Sequence, residues 1–382
     1  MRRTITSLLS SLLVLMFIST SAPAQRERFI TVDGSDLKAR IESAIRMARS
    51  GSTQTSFWVA YSFDVRPGVS VDASYTDSHG TTYVSGTSIN IGDDSGRMVE
   101  TRNLGVFLLH ESNGSSITRI EVYNLDRQRE YSRYPVYWAG RAGNQESLGL
   151  LKNLALSSEA RRVSKSATMA IGLHDDPQVG SLLKEIVRNS SDEEARKSAV
   201  FWLGLVPGEQ AYLTELVRNE QEPAELRKQA AFAIGVSKDA SAMAALQTLY
   251  PAVSSREVKK QIIFASSINK SGDQAVDFLV KVASEDPDRE LKKQALFWLG
   301  QKAGKRSLEV LGKTVESTDA ETEVQKHAVF AISQRPKDEA VPLLIKIART
   351  HPKPEVRKQA IFWLGQTGDE RALAFFKEIL TK

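Results

Sequence analysis

The segment VRKQAIFWLG, Val356–Gly365, recurs at a fixed period along most of the chain. Six other copies follow the same pattern: LKKQALFWLG at Leu291–Gly300, LRKQAAFAIG at Leu226–Gly235, ARKSAVFWLG at Ala195–Gly204, and weaker copies beginning at Val163, Val258 and Val324. A remnant, YPVYWAG, ends at Gly140. Aligned on the last residue, the copies end at positions 140, 172, 204, 235, 267, 300, 333 and 365, so the period is 31 to 33 residues. A period of this length predicts a solenoid of stacked units, an architecture that mostly binds and positions other molecules.

The first 24 residues have the pattern of a secretory signal. Arg2 and Arg3 precede an apolar run from Leu8 to Ile18, and Ala22-Pro23-Ala24 is a small-x-small cleavage site. The run is shorter than the ~20 apolar residues that a membrane span needs. We therefore predict cleavage after Ala24 and export to the periplasm or the extracellular space, with no membrane span in the mature chain.

Composition excludes several classes of site. The chain has no cysteine, which rules out disulfides, thiolate metal sites and cysteine nucleophiles. Its formal net charge is +5, and loss of Arg2 and Arg3 would lower it to +3. A nucleic-acid-binding domain usually carries a concentrated basic face, so this charge predicts no nucleic-acid partner.

Residues 25–130 predict a small α+β domain dominated by an antiparallel sheet. Ser35 can cap a helix that runs to Ser50, with Gly51 after its end. Five runs rich in aromatic and β-branched residues predict strands: Phe57 to Phe63, Val69 to Tyr75, Thr81 to Ile89, Met98 to His110, and Ile117 to Leu125. Asn113-Gly114 predicts a hairpin between the last two. Phe57, Trp58 and Tyr61 are predicted core residues.

Residues 131–145 are interpreted as a boundary with a degenerate first repeat, and residues 146–382 as helix pairs. Seven pairs are visible, and an unpaired helix follows over Asp369–Leu380. Capping signals at Ser191, Asp286 and Thr318 support the predicted helix starts.

These repeats resemble HEAT repeats of the short class named after phycobilisome lyases, whose pattern is like D-P-x-V-R-x-x-A-x-x-A-L-G-x-x-G-D. The last copy carries Val356-Arg357, Ala360, Leu364-Gly365 and Gly368-Asp369 at matching positions. The resemblance covers about residues 140–382. It implies a mostly α, right-handed α-solenoid whose second helices line the concave surface. It is specific for fold rather than function, since one architecture hosts many functions.

Within each copy the residues divide by helical face. Val356, Ala360, Trp363 and Leu364 form one buried stripe at ~100° per residue, and Gly365 is expected to end the helix. A column of large and small residues shares the Trp363 position and is interpreted as core packing. It contains Trp138, Trp202, Trp298 and Trp363, alternating with Ala170, Ala233, Ala265 and Ala331.

Two further columns point away from the buried stripe. The lysine column contains Lys197, Lys228, Lys260, Lys293, Lys326 and Lys358, with Arg133 and Lys165 in register. The phenylalanine column, one turn later, contains Phe201, Phe232, Phe264, Phe297, Phe330 and Phe362, with Tyr137 and Met169 in register. One hypothesis is a groove that binds an extended peptide or an anionic chain through cation and ring contacts. The alternative is that each Phe packs on the next repeat and the lysines form a solvated rim.

The residue before each lysine is often basic, as at Arg196, Arg227, Lys259, Lys292 and Arg357. The resemblance implies that this column makes structural contacts to neighbouring turns.

Signals for catalysis are few. HEAT-like di-iron hydroxylases carry repeated His-Glu pairs, whereas this chain has one, His110-Glu111, inside the predicted sheet. His174-Asp175-Asp176 follows a repeat glycine and predicts a turn, and no zinc motif, phosphate-binding loop or nucleophile elbow is present. We therefore expect no enzyme activity, no catalytic residue, no metal and no cofactor.

The sequence thus predicts an exported scaffold or adaptor that binds a protein or peptide on the concave face of the solenoid. One alternative is a structural or sensory module whose N-terminal sheet domain makes the specific contact. Another is a HEAT-type lyase or metal-dependent hydroxylase, which the missing ligands argue against.

Overall fold

The computed structural model describes residues 29–51, 55–71, 74–76, 82–84, 89–91, 101–127, 131, 134–157, 161–302 and 304–381. The predicted signal at residues 1–24, together with His79 and Arg133, lies outside these residues. The chain divides into two compact units. The sheet unit takes in residues up to Ser62, Gly68–Ser116 and Val122–Ala142, and the solenoid unit takes in Phe63–Pro67, Ile117–Glu121 and the chain from Gly143 onward.

The N-terminal elements form one helix and three small sheets. In chain order they are β1 (Ile30–Thr31), α1 (Leu37–Ser50), β2 (Phe57–Ser62), β3 (Val69–Val71), β4 (Ser74–Thr76), β5 (Thr82–Val84), β6 (Ile89–Ile91), β7 (Leu104–His110), β8 (Ile117–Asn124) and β9 (Val136–Arg141). The main sheet has the order β1-β9-β2-β7-β8, while β3 pairs with β6 and β4 with β5. Asp36 caps α1, one residue after the predicted Ser35, because its carboxylate accepts the Ala39 N–H at 2.8 Å.

The YPVYWAG segment is a strand and not a degenerate repeat. Strand β9 pairs in parallel with both β1 and β2, so that Tyr137 lies opposite Ile30 and Val59. The main sheet is therefore mixed: the predicted antiparallel pairing holds for β2 with β7, but β9 runs parallel to its neighbours. Consequently Tyr137 and Trp138 leave the repeat columns. The alternation of Val, Tyr and Trp suits a pleated strand, and pairing with distant β2 stabilises it.

An aromatic core holds the sheet unit together. Trp58, Ala60, Phe107, Tyr123 and Tyr131 belong to one buried cluster. The rings of Phe107 and Tyr131 stack with centroids 4.8 Å apart, and the Trp58 indole N–H donates to the Tyr131 carbonyl at 3.0 Å. The predicted core positions of Phe57, Trp58 and Tyr61 are confirmed, since all three are buried. Gly114, with φ of +67°, forms the predicted hairpin turn between β7 and β8.

The described residues from Gly143 onward form seven helix pairs and one further helix. The first, outer helices of the pairs are α2 (Asn144–Leu156), α4 (Val179–Asn189), α6 (Gln210–Arg218), α8 (Ala242–Ala252), α10 (Gly272–Glu285), α12 (Lys305–Glu316) and α14 (Lys337–Thr350). The second, inner helices are α3 (Arg161–Gly172), α5 (Glu193–Leu203), α7 (Ala224–Val236), α9 (Arg256–Ile268), α11 (Arg289–Gln301), α13 (Thr322–Ser333) and α15 (Pro354–Gln366), and α16 (Glu370–Leu380) follows them. The α-solenoid and its helix pairs are as predicted.

Three predicted helix starts shift by one to three residues. Asp192 caps α5 in place of Ser191, and Asp288 caps α11 in place of Asp286. Glu321 precedes α13, three residues after Thr318. Asp192 and Asp288 cap their helices because their carboxylates accept hydrogen bonds from the backbone N–H groups two residues later.

Inner helices of successive pairs pack more closely than outer helices do, which places the row of inner helices on the concave side. The repeat glycines permit this approach. A Cβ at Gly204 would lie 2.5 Å from the Ala233 carbonyl oxygen, and one at Gly235 would lie 2.7 Å from the Ala265 carbonyl oxygen. The expectation that Gly365 ends its helix is wrong, because α15 continues to Gln366, and Gly235 likewise lies inside α7. Its role is to leave room for the next inner helix.

The basic residues before the lysine column make the structural contacts that were expected. The Arg196 guanidinium donates to the Val187 carbonyl at 2.7 Å, and that of Arg227 to the Val217 carbonyl at 2.9 Å. These carbonyls belong to the last turn of the outer helix in the same pair, where backbone oxygens lack intrahelical partners. Gln325 fills the same position in α13 and donates to the Val315 carbonyl at 2.9 Å.

The glycine contacts predict opposite effects for two identical substitutions. Gly235→Ala should lower the free energy of unfolding by about 1–3 kcal/mol, because its methyl group would overlap the α9 backbone. Gly365→Ala meets nothing within 4 Å and should be neutral or stabilising by up to about 1 kcal/mol, since Ala favours a helix interior. Thermal unfolding of both variants and the wild type measures the difference. Equal changes in the melting temperature would contradict this account.

Candidate functional site

The exposed part of six inner helices, from α5 to α15, carries four positions in register. Relative to the lysine, they are a glutamate three residues earlier, a position one residue later that is glutamine in four of the six helices, and the phenylalanine four residues later. At ~100° per residue these four positions span ~100° of the helix surface. The repeated inner helices therefore present four parallel columns, which we call the inner face.

The six predicted phenylalanines all lie on the inner face, and five of them are half-buried. Phe201 and Phe232 stack with ring centroids 6.3 Å apart and planes 17° apart, and Phe232 and Phe264 stack at 6.0 Å and 6°. Phe297 and Phe330 stack in the same way at 6.2 Å. Packing between repeats is thus confirmed for the stacked rings of Phe201, Phe232 and Phe264 and for Phe297 with Phe330. Because these five rings are only half-buried, part of each stays exposed, and their role in binding stays a prediction.

Tryptophan divides this ladder of rings into segments. Trp298 tilts onto the preceding Phe264 with centroids 5.0 Å apart, and its edge meets Phe297 at 4.9 Å. Trp363 does the same between Phe330 and Phe362. Both indoles are partly exposed, so the interpretation of this column as core packing is incomplete: Trp202 is buried, but Trp298 and Trp363 belong to the inner face.

The lysine column is paired with glutamates. Lys228 lies 2.9 Å from Glu225, Lys260 lies 3.0 Å from Glu257, and similar ion pairs occur in three further repeats. They are Lys197 with Glu193 and Glu194, Lys293 with Glu290, and Lys326 with Glu323. Lys165 reaches Glu194 of the next pair at 3.5 Å. These contacts lower the pKa of the Glu225 carboxyl through a hydrogen bond from Lys228.

Sequence reasoning missed the glutamine column. Gln229, Gln261, Gln294 and Gln359 are partly exposed, and their side chains make no hydrogen bond to another described residue. Ser166, Ser198 and His327 occupy the same column in the other three repeats. Each amide offers two donors and an acceptor to a bound molecule. The recurrence of Gln directly after the repeat lysine could have revealed this column from the sequence.

The inner face changes at the last repeat. Phe362 is 56% exposed, and Lys358 is also exposed. All twelve lysine and phenylalanine positions singled out in the sequence nevertheless lie on inner helices and in register. The sequence columns are thus real columns of the solenoid, although their binding role stays a prediction.

Residues 308–382 match the family model described as HEAT repeats. No curated protein sequence matches the chain. Among solved structures, human deoxyhypusine hydroxylase is 13% identical with a TM-score of 0.32, and the match covers 62% of this chain and 90% of that one.

Two other solved structures are similar at the same level. The Mot1 N-terminal domain, solved in complex with TBP, is 15% identical with a TM-score of 0.32, covering 58% of this chain and 34% of that one. Kap95p, solved with RanGDP, is 12% identical with a TM-score of 0.34, covering 57% and 37%. At these identities and scores the likenesses carry no argument about function. No described helix is long and apolar enough to cross a membrane.

Two of the described histidines, His174 and His110, have structural surroundings. The buried His174 lies 2.8 Å from the Ser147 hydroxyl and 2.7 Å from the Ala170 carbonyl, and its ring stacks on Phe63. His110 is buried against Phe57, and burial lowers its pKa to about 4. Across the described residues, no group of three or more His, Cys, Asp or Glu side chains is arranged to hold a metal ion.

His174 predicts a loss of stability in acid. Burial lowers its pKa from 6.5 to about 4, so the unfolded chain binds more protons between these values. The contribution of the neutral ring is complete above pH 6.5 and is lost as the pH falls to about 4, by up to about 3 kcal/mol. His174→Gln should reduce the difference in unfolding free energy between pH 7 and pH 5, measured by urea denaturation. An unchanged difference would contradict the assignment.

Proposed function

We propose that this protein is a non-catalytic scaffold that binds a protein or peptide partner along the inner face of its solenoid. The observation that carries the proposal is the combination of an aromatic ladder with a column of glutamine amides that make no hydrogen bond to any described residue. Half-exposed rings supply apolar area that a partner can desolvate, and the amides supply directional hydrogen bonds. Both run in register along successive repeats.

The ion pairs favour a peptide over an anionic chain. A polyanion binds chiefly by neutralising free cationic side chains and releasing counterions. Here five of the six predicted lysines already face a glutamate within about 3.2 Å, so a polyanion would also meet a column of carboxylates. An uncharged backbone with mixed side chains meets no such repulsion.

The remaining parts of the proposal rest on sequence. Export to the periplasm or the extracellular space follows from the predicted signal at residues 1–24. The absence of catalysis is supported by the sparse histidines and by the structural contacts of His174. The match to HEAT repeats supports a binding role, because stacked repeats provide extended concave surfaces.

Site-specific crosslinking tests which face is used. A photo-crosslinking amino acid placed at Gln261, on inner helix α9, should capture the partner in the native host. The same residue placed at Gln247, an exposed glutamine on outer helix α8, is the matched control. Mass spectrometry should find one protein at Gln261 that is absent at Gln247. Capture at Gln247 alone would contradict binding at the inner face.

Once a partner is identified, the rings can be tested directly. Phe232→Ala with Phe264→Ala should weaken binding by about tenfold or more, because buried aromatic contacts dominate interface energies. Phe376→Ala, on α16 and outside the inner face, is the control. Isothermal titration of the full-length variants gives the affinities, and thermal unfolding checks that they fold. Unchanged affinity in the folded double variant would contradict the proposal.

Point variants are preferable to removal of the N-terminal region. Phe63–Pro67 belongs to the solenoid unit, where Val65 forms a β-bridge with His174. The Arg66 guanidinium donates to the carbonyls of Gly172 and Leu205, and the Asp175 N–H donates to the Asp64 carbonyl at 2.8 Å. A fragment that begins near Gln145 would lose these contacts.

A further inference from the structure

The first run of stacked rings has a regular step. Phe201, Phe232 and Phe264 follow one another at 6.3 and 6.0 Å with nearly parallel planes. A β-strand rises about 3.3 Å per residue, so its side chains on one face recur every ~6.6 Å. The spacing of these three rings therefore nearly matches the spacing of side chains on one face of an extended chain over two steps.

The glutamine column distinguishes an extended chain from a helix. Residues i and i+4 of a helix also lie ~6 Å apart along the axis, but they rotate by ~40° at each step and leave the ladder. A helix also satisfies its own backbone groups, whereas an extended chain leaves its N–H and C=O groups open. Gln229 and Gln261, beside the rings, make no side-chain hydrogen bond to any described residue and can bond an open backbone.

The length of the regular run is set by tryptophan. Trp298 tilts by 41° onto Phe264, so the parallel stacking stops there. Toward the other end the column continues as Met169, which has no ring. Three rings with a two-residue step correspond to a bound segment of about five residues.

The lysine and glutamate columns beside the rings limit which side chains a bound segment can carry at the positions that do not face the rings. Lys197 and Lys228 alternate with Glu194 and Glu225 along the run, in ion pairs of 2.9 to 3.2 Å. This surface is polar and close to neutral. It suits polar side chains between the residues that face the rings.

We propose that Phe201, Phe232 and Phe264 bind an extended segment of about five residues with apolar side chains at alternate positions. The first, third and fifth side chains pack against the ring edges, and the backbone bonds the amides of Gln229 and Gln261. This assignment rests on the proposed function and specifies the partner chemistry of the same surface.

Two synthetic peptides of identical composition test it. One fluorescein-labelled peptide alternates three Val with Ser and Thr, and the other places the three Val together. Fluorescence anisotropy with the full chain should show binding of the alternating peptide about tenfold tighter, which corresponds to about 1.4 kcal/mol. Phe232→Ala should remove the preference, and Phe376→Ala should keep it.

The outcomes separate this inference from the proposed function. Equal binding of the two peptides, or binding of neither, overturns the alternating extended segment. If the partner still crosslinks at Gln261 in that case, the scaffold function stands and only its partner chemistry is wrong. A preference that survives in folded Phe232→Ala also overturns the assignment, because the middle ring would then have no part in it.

Discussion

The close approach of successive inner helices is the constraint on which the inner face depends. Gly204 and Gly235 leave room for the backbone of the next inner helix, where any side chain would meet a carbonyl oxygen at 2.5 to 2.7 Å. Because these helices pack so closely, the phenylalanines one position before the alanines reach stacking distance. The ring spacing of 6.0 to 6.3 Å is therefore a consequence of backbone packing as well as of ring attraction.

The residue that faces the repeat glycine sets the pattern of the surface. Ala233, Ala265 and Ala331 each lie against a glycine, and there the neighbouring phenylalanines stack. Ser267 and Ser333 replace the glycine before the repeats that carry Trp298 and Trp363. The indole then covers the preceding ring and interrupts the ladder. One helix position thus determines both inter-repeat contact and the length of each accessible run.

Periodicity predicted the helix pairs and the columns because each copy places the same residue types at the same angles. It failed at YPVYWAG, where the aromatic, Ala and Gly spacing matched a repeat but pairing with β1 and β2 decided the structure. Such pairing is non-local and leaves no trace in the segment itself. The ion pairs of the lysines could have been predicted from the sequence, since Glu225 precedes Lys228 by one turn and the same spacing recurs in other repeats. The sequence hypothesis considered the lysines without the glutamates one turn earlier, and it therefore overestimated the positive charge of the groove.

The ion pairs shape selectivity more than stability. Pairs between exposed side chains contribute little to the free energy of unfolding, because solvent screens them and ordering long side chains costs entropy. Buried Val, Ala and Leu of the same repeats carry the stability instead. The pairs instead change the electrostatic field over the inner face, because they bring its net charge close to zero. Under the proposed function, a partner would be selected by the shape of the ring ladder and by hydrogen bonds to the amides, both of which depend on register. A surface of free lysines would bind any anionic chain, whereas the proposed site would discriminate by spacing.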